Sequence, residues 1–273
     1  MNEMMSCINE ATTMPYTLEQ DIQAASKAGF KGVELWTDKL KDFLLKKNKG
    51  HLKSLLDDFN LSTPSLCPFG GFIFCTEDEF NKRVKDLEYF LDVANYIGVE
   101  YIIVCAEGLG NRSFEEAKRI YVSRLRKLSS ITSEYDVRIA LEWFHELQPA
   151  IEIIKAVDDE NVGLVIDTFH WYRGDGRLDS LIEVPSDKLF FVHINDCEGL
   201  PREKLTDKNR LFCGRGVIPL TDILRIFKEK GYGGYLSVEI FREEYWRMDI
   251  EELAKEAYRT LIEVAFKSSV SIS

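Results

Sequence analysis

The chain has 273 residues, of which 45% are hydrophobic and 30% are charged, and its formal net charge is -11. A chain of this length can form one large α/β domain with a substantial hydrophobic core. The negative charge argues against nucleic acid and anionic membranes as partners, because both attract cationic protein surfaces. The length, composition and net charge therefore favour a globular protein that binds neither nucleic acid nor a membrane.

Neither the apolar runs nor the cysteines indicate a membrane protein or a secreted protein. The chain contains no run of about 18 apolar residues, the length that crosses a bilayer as a helix. Its first residues, MNEMMSCINEATT, lack the basic and apolar segments of a secretory signal. The six cysteines are scattered without a C-x-x-C pair, so we expect reduced thiols in a cytoplasmic protein.

Short apolar runs at regular intervals predict eight β-strands. Most of these runs are continuous rather than alternating, which is typical of strands that are covered on both faces, as in a parallel sheet. The predicted strands are residues 4–11, 32–36, 62–69, 101–108, 138–144, 162–169, 189–196 and 234–241.

Amphipathic segments with helical spacing lie between the strands. They are clear at 17–29, 77–98, 113–135, 219–231 and 249–266, and less regular after the second, fifth and sixth strands. Eight strand-then-helix units without a linker predict an α/β protein, a single (β/α)8 TIM barrel over residues 1–273. An open doubly wound sheet is the alternative, but it normally has a glycine-rich turn where this chain has NEATTMP.

Four consecutive predicted strands each end with one polar residue inside an apolar run. These residues, on the fifth to eighth strands, are Glu142, Asp167, His193 and Glu239. In a barrel the carboxyl ends of the strands form one face, so we expect these side chains to converge. Three buried carboxylates need a positive partner, and the same strands supply no basic residue at that depth.

Two explanations for this convergence are a buried network of ion pairs and a divalent cation. Three oxygen ligands and one nitrogen ligand favour Mn²⁺, with Mg²⁺, Co²⁺ and Zn²⁺ as alternatives. We therefore expect one divalent metal ion. His170 follows Asp167 by three residues, past the strand, where it would contact a substrate oxygen or support the metal ligands.

These residues and their surroundings resemble the xylose isomerase-like superfamily, which includes xylose isomerase, endonuclease IV and the ketose 3-epimerases. The resemblance covers essentially the whole chain, and it is strongest to the inosose isomerase (2-keto-myo-inositol isomerase) branch. The segments that carry it are NEATT at 9–13, ALEWF at 140–144, NVGLVIDTFH at 161–170, LTDKNRLFCGRG at 205–216 and SVEIFREEYW at 237–246.

The resemblance implies a metal-dependent isomerase or epimerase that moves a proton on a keto-sugar or keto-inositol through an enediolate. It implies that Glu142, Asp167, His193 and Glu239 bind the metal, and that both glutamates also act as the acid–base pair. His170, Arg210 and Arg242 would contact the substrate. The chain departs from the family at 144–146, where FHE replaces a Gly-His pair, which leaves the exact substrate open.

The same fold could carry other functions. A ketose 3-epimerase and an inosose dehydratase-type lyase would use the same metal site, and a sugar sensor would need no acid–base pair. A DNA-repair nuclease with three metals needs more than the four histidines present, and the net charge of -11 also opposes it. The expected partner is a small keto-sugar or inosose, and a homo-oligomer is left open.

Overall fold

The computed structural model describes residues 3–273. Parallel strands in this part of the chain close into a barrel of eight. They are β1 (Met5–Asn9), β2 (Gly32–Trp36), β3 (Ser65–Phe69), β4 (Tyr101–Cys105), β5 (Arg138–Glu142), β6 (Val162–Asp167), β7 (Leu189–Ile194) and β10 (Tyr235–Val238). Each strand pairs with its neighbours in chain order, and β1 closes the ring by pairing with β10.

Helices connect the strands. They are α1 (Leu18–Ala28), α2 (Thr37–Leu44), α3 (Lys49–Asp58), α4 (Glu77–Ile97), α5 (Phe114–Thr132), α6 (Leu147–Val157), α7 (Thr168–Gly174), α8 (Leu178–Glu183), α9 (Leu220–Glu229) and α10 (Ile250–Lys267). Three of them start with a capping box, in which a Thr or Ser side chain and the third helical residue bond each other's backbone N–H groups. The predicted (β/α)8 barrel is confirmed.

A short antiparallel ribbon lies in the segment between β7 and β10. Its strands are β8 (Asp196–Cys197) and β9 (Arg210–Leu211), and Cys197 pairs with Arg210. The Asp196 carboxylate accepts hydrogen bonds from the backbone N–H groups of Cys197, Gly216 and Ile218, each at 2.8 Å. These bonds tie the first strand of the ribbon to residues 216–218, which precede α9.

The structure corrects some predicted boundaries. The first predicted strand, 4–11, ends at Asn9, because the Asn9 side-chain oxygen accepts the N–H of Ala11 at 2.7 Å and turns the chain. The seventh, 189–196, ends at Ile194, since Asp196 belongs to the ribbon. The predicted domain begins with residues 1 and 2, which lie outside the described residues.

Two apolar clusters form the core. The larger one lies between the barrel and the helices. The smaller one contains Cys7, Cys67, Tyr101, Ile103, Ala140, Val165, Phe190 and Phe191. Most of these residues alternate along their strands with members of the larger cluster, whereas Phe190 and Phe191 are adjacent on β7. The Phe191 ring lies 5.7 Å from the ring of His193, so this inner cluster directly adjoins the polar strand ends. Within residues 3–273, none of the helices has the length and apolar character needed to cross a membrane.

Candidate metal centre

The four predicted strand-end residues meet in the structure. Glu142, Asp167 and His193 lie on β5, β6 and β7, and Glu239 directly follows β10. One ligand atom from each side chain lies within 4.8 Å of the others. All four residues are at least 96% buried. Strand register causes part of this proximity, because Asp167 and His193 are partners across the β6–β7 pair.

His193 is held between carboxylates on both sides of its ring. Nδ1 lies 2.9 Å from Glu142 Oε1 and 3.3 Å from Glu239 Oε2, and Nε2 lies 3.1 Å from Glu34 Oε1. Ser237 Oγ donates to the other oxygen of Glu34 at 2.7 Å. Burial lowers the pKa of His193, but the carboxylates of Glu239, Glu34 and Glu142 outweigh it and hold the pKa well above its ordinary value.

Glu34 is a site residue that the sequence analysis did not identify. It lies on β2 in the run GVELW, and it is fully buried. A carboxylate that accepts the far N–H of a metal-binding histidine selects the tautomer and orients the ring. The available signal was the same as for the other four residues, a single polar side chain inside an apolar strand.

Arg210 enters the cluster from the ribbon. Its guanidinium is 99% buried, and Nη1 donates to Asp167 Oδ2 at 2.7 Å and to Glu239 Oε2 at 2.9 Å. Burial raises the pKa of Asp167, but Arg210 more than reverses this and the pKa lies well below its usual range. The barrel strands themselves supply no basic residue to the cluster, as expected, but the ribbon does, and some of the buried charge is therefore paired.

The charges in the cluster fit a divalent cation. Four buried carboxylates, on Glu34, Glu142, Asp167 and Glu239, face the guanidinium of Arg210 and the imidazole of His193. Two negative charges remain when the imidazole is protonated and all four carboxylates are ionised, and in the absence of a cation burial raises the pKa of Glu239 well above its ordinary value. Burying uncompensated carboxylates is costly, and three carboxylates with one imidazole are ligands that a divalent metal accepts.

His170 lies beside the cluster on α7. Its Nε2 is 3.1 Å from Arg210 Nη2, which can only donate, so Nε2 accepts and Nδ1 carries the proton. Nδ1 is buried and has no hydrogen-bond partner among residues 3–273. Burial lowers the pKa of His170, which is consistent with this neutral tautomer. His170 therefore offers one unused N–H donor next to the cluster.

A cavity of about 470 Å³ opens above the cluster. It is lined by Glu142, Glu239, His170 and Arg210, and also by the rings of Trp36, Phe144 and Phe241 and by two thiols, Cys67 and Cys105. Trp36 and Phe241 pack edge to face, with ring centroids 5.7 Å apart. The cavity thus combines a polar floor with an aromatic wall, the usual composition of a small-molecule site.

The structure does not bring Arg242 into this cavity. Its guanidinium donates to Glu198 Oε1 at 2.8 Å and lies 3.2 Å from Glu244 Oε2. These contacts join the segment after β10 to the segment after β8. Two asparagines instead contact the cluster: Asn9 donates to Glu239 at 3.2 Å, and Asn195 donates to Asp167 at 3.2 Å.

The barrel and the buried carboxylate–histidine cluster define a class of protein. A family model described as "Xylose isomerase-like TIM barrel" matches residues 22–264, and the chain belongs to this family. An inosose isomerase of Halalkalibacterium halodurans is 32% identical over 97% of both chains. A 3-dehydroshikimate dehydratase of Pseudomonas aeruginosa is 26% identical over 90% of this chain and 39% of its own length.

A solved structure shows the same similarity in three dimensions. The crystal structure of the IOLI protein with a bound zinc atom has a TM-score of 0.91 and 31% identity, covering 97% of this chain and 99% of the other. These findings confirm the predicted resemblance to the inosose isomerases and the prediction that the chain is an isomerase enzyme. The roles of the individual residues stay predictions.

Proposed function

We propose that this enzyme isomerises a keto-inositol or a related keto-sugar by proton transfer through an enediolate. The observation that carries the proposal is the pair Glu142 and Glu239, which line the same cavity and share the buried cluster with Asp167 and His193. The similarity to inosose isomerases supports the substrate class.

We propose that Glu142, Asp167, His193 and Glu239 hold one divalent metal ion, which when bound would polarise the substrate carbonyl and make the adjacent C–H more acidic. Mn²⁺ is our first choice, and Mg²⁺, Co²⁺ and Zn²⁺ are alternatives for this set of ligands. The zinc atom in the IOLI structure supports a divalent metal in a protein of this fold.

The carboxylates of Glu142 and Glu239 differ in the hydrogen bonds that they accept. Both oxygens of Glu239 accept hydrogen bonds from Asn9 and Arg210, at 3.2 and 2.9 Å. Among the residues that the structure describes, the only hydrogen bond to Oε2 of Glu142 is a weak one from the Cys105 thiol, at 3.7 Å. A base needs an oxygen that is free to take a proton, so we propose that Glu142 removes it from the substrate carbon and Glu239 returns one.

His170 and Arg210 would position the substrate. The free Nδ1–H of His170 is a donor for a substrate hydroxyl, and Arg210 would stabilise negative charge that develops on an enediolate oxygen. The aromatic wall of Trp36 and Phe241 is suited to the apolar face of a ring. Arg242, which lies outside the cavity, would support the loop instead.

A lyase that removes water from the same substrates is the second candidate. The similarity to a 3-dehydroshikimate dehydratase favours it, although this chain spans only 39% of that protein. A ketose 3-epimerase would instead return the proton to the same carbon from the opposite face. Product mass separates the lyase from the others, and the position of the new label separates isomerase from epimerase.

The test is NMR of inososes and ketoses incubated with the metal-loaded protein in D₂O. We expect deuterium on the carbon next to the carbonyl and an isomer that has lost no water. Glu142→Gln and Glu239→Gln should each abolish the exchange, while Glu160→Gln, an exposed glutamate, should retain it. Absence of exchange across the panel would favour a sugar sensor and contradict the proposal.

We also propose that residues 1–273 act as one domain in the cytoplasm. The free state of all six cysteines supports a reducing compartment. The net charge of -11 supports the absence of a nucleic-acid partner. Size-exclusion chromatography with light scattering would measure the oligomeric state.

A further inference from the structure

Two thiols line the cavity, and the proposed reaction uses neither of them. Cys67 lies on β3 and Cys105 at the end of β4. The Cys105 thiol donates to Glu142 Oε2 at 3.7 Å. Cys67 is 99% buried and its thiol makes no hydrogen bond within residues 3–273. A buried thiol is common in an apolar core, but this one adjoins a charged cluster, and its sulfur is a potential ligand atom that no hydrogen bond occupies.

Cys67 belongs to a second group of ligand atoms. One atom each from Glu34, Cys67 and His193 lie within 4.8 Å of one another, and the three residues are at least 99% buried. This group contains a sulfur atom, whereas the four-residue cluster offers only oxygen and nitrogen. Thiolate ligands select soft cations such as Cd²⁺ and Zn²⁺, and carboxylates suit harder ones such as Mn²⁺.

The two groups share His193 but face different nitrogens of its ring. Nδ1 faces Glu142 and Glu239, at 2.9 and 3.3 Å, and Nε2 faces Glu34 at 3.1 Å. A neutral imidazole has one nitrogen free for a cation and a proton on the other. The two groups therefore need opposite tautomers of one ring, and they cannot both hold a cation through neutral His193.

We propose that Glu34, Cys67 and His193 form a binding site for a thiophilic divalent cation, and that its occupation excludes a cation from the four-residue cluster. Binding forms a sulfur–metal bond and releases the thiol proton to solvent. The bond from Nε2 to the metal replaces the Nε2–H bond, whose proton also passes to solvent, and Nδ1 keeps its proton, which it donates in a hydrogen bond to Glu142 at 2.9 Å. The second site stands independently of the proposed function, but the exclusion rests on it.

The test is a titration of the metal-stripped protein with Cd²⁺. The ultraviolet charge-transfer absorption of the cadmium–thiolate bond reports how much Cd²⁺ is bound through sulfur. We expect the absorption to saturate near one equivalent in the wild-type protein and in Cys105→Ser. It should be lost in Cys67→Ser and in Cys67→Ala. Cys105→Ser is the matched control because its thiol lines the same cavity, and circular dichroism checks that each variant is folded.

A parallel measurement follows bound Mn²⁺ by electron paramagnetic resonance. Cd²⁺ should release bound Mn²⁺ from the wild-type protein in step with the thiolate absorption, and Cys67→Ser should still bind Mn²⁺. Absorption that survives in both Cys67 variants, or is absent from a wild-type protein that binds Mn²⁺, would overturn the second site. Absorption without release of Mn²⁺ would overturn the exclusion, and failure to bind Mn²⁺ at all would count against the proposed function alone.

Discussion

At the scale of single residues, the orientation of His193 depends on Glu34. The carboxylate on β2 contacts Nε2 at 3.1 Å, and Ser237 donates to that carboxylate at 2.7 Å. Burial raises the pKa of Glu34, but His193 reverses the effect and the pKa lies below its ordinary value. An ionised Glu34 thus keeps the proton on Nε2, so Nδ1 is the ring nitrogen that would give up its proton to a cation in the cluster.

Replacing Glu34 should therefore weaken metal binding without removing a ligand of the four-residue cluster. We expect Glu34→Gln to lower Mn²⁺ affinity by about 10–100-fold, because an amide can donate to Nε2 and select the wrong tautomer. Isothermal titration calorimetry of the metal-stripped protein with Mn²⁺ measures the affinity, with Glu160→Gln as the control. Unchanged affinity in Glu34→Gln would show that Glu34 does not orient the ring.

At the scale of elements, the β8–β9 ribbon delivers Arg210 to the cluster. Gly216 passes very close to this ribbon: a Cβ atom there would lie 2.0 Å from the Cys197 carbonyl oxygen and 2.5 Å from Asp196 Oδ1. Both neighbours are fixed by the hydrogen bonds of Asp196. The absence of a side chain at Gly216 therefore permits the packing that positions Arg210.

We expect Gly216→Ala to destabilise the protein by about 1–3 kcal/mol, because the backbone must shift to admit the methyl group. Substrate binding should weaken as well, since Arg210 moves with the ribbon. Gly108→Ala is the matched control, because a Cβ at Gly108 would meet no atom of residues 3–273 within 4 Å. Urea unfolding and substrate titration would measure the two effects, and equal stability of the two variants would contradict this account.

Also at the scale of elements, a group of buried polar side chains joins the end of β1 to α1 and α2. Glu10 Oε2 accepts the N–H of Trp36 at 2.6 Å, and Lys39 donates to Asp21 Oδ2 at 2.6 Å. Glu10 Oε1 and Asp21 Oδ1 are both buried, and neither has a hydrogen-bond partner in the described part of the chain. Burial, and then the Asp21 carboxylate, raise the pKa of Glu10 well above its ordinary value. One proton held by Glu10 would satisfy both oxygens.

This raised pKa makes stability depend on pH. The folded protein keeps the Glu10 proton at pH values where the unfolded chain has lost it, so the contribution of Glu10 is complete below about pH 4.5 and declines as pH rises through the folded pKa. Glu10→Gln removes this decline. We expect its free energy of unfolding, relative to wild type, to increase with pH, and parallel pH profiles in urea unfolding would contradict this.

At the scale of the whole molecule, the barrel brings distant segments to one polar cluster. Glu34 and His193 are 159 residues apart in the chain, and Asn9 and Glu239 are 230 apart. The inner apolar cluster adjoins His193 through Phe191, and the cavity opens on the side of Trp36 and Phe241. Burying these charges therefore lowers the free energy of unfolding of the whole barrel, and a bound cation should raise it.

Removal of the metal should accordingly lower the thermal stability. A cation at one hundred times its dissociation constant adds about 2.7 kcal/mol to the free energy of unfolding, because it binds the folded state only. We expect a chelator to lower the Tm in calorimetry and Mn²⁺ to restore it. The Tm of the double variant Glu142→Gln and Glu239→Gln should not respond. A wild-type Tm that is indifferent to chelator would contradict the metal site.

The sequence alone determined the alternation of strands and helices and the convergence of Glu142, Asp167, His193 and Glu239. Each of these features is visible within a single element, since a continuous apolar run predicts a buried parallel strand and parallel strands end on one face of a barrel. The tertiary structure alone decided that Glu34 holds His193, that Arg210 pairs with Asp167, and that Arg242 stays outside. These contacts depend on side chains from separate strands and loops. Their geometry is set by tertiary packing, which a sequence pattern within one element does not predict.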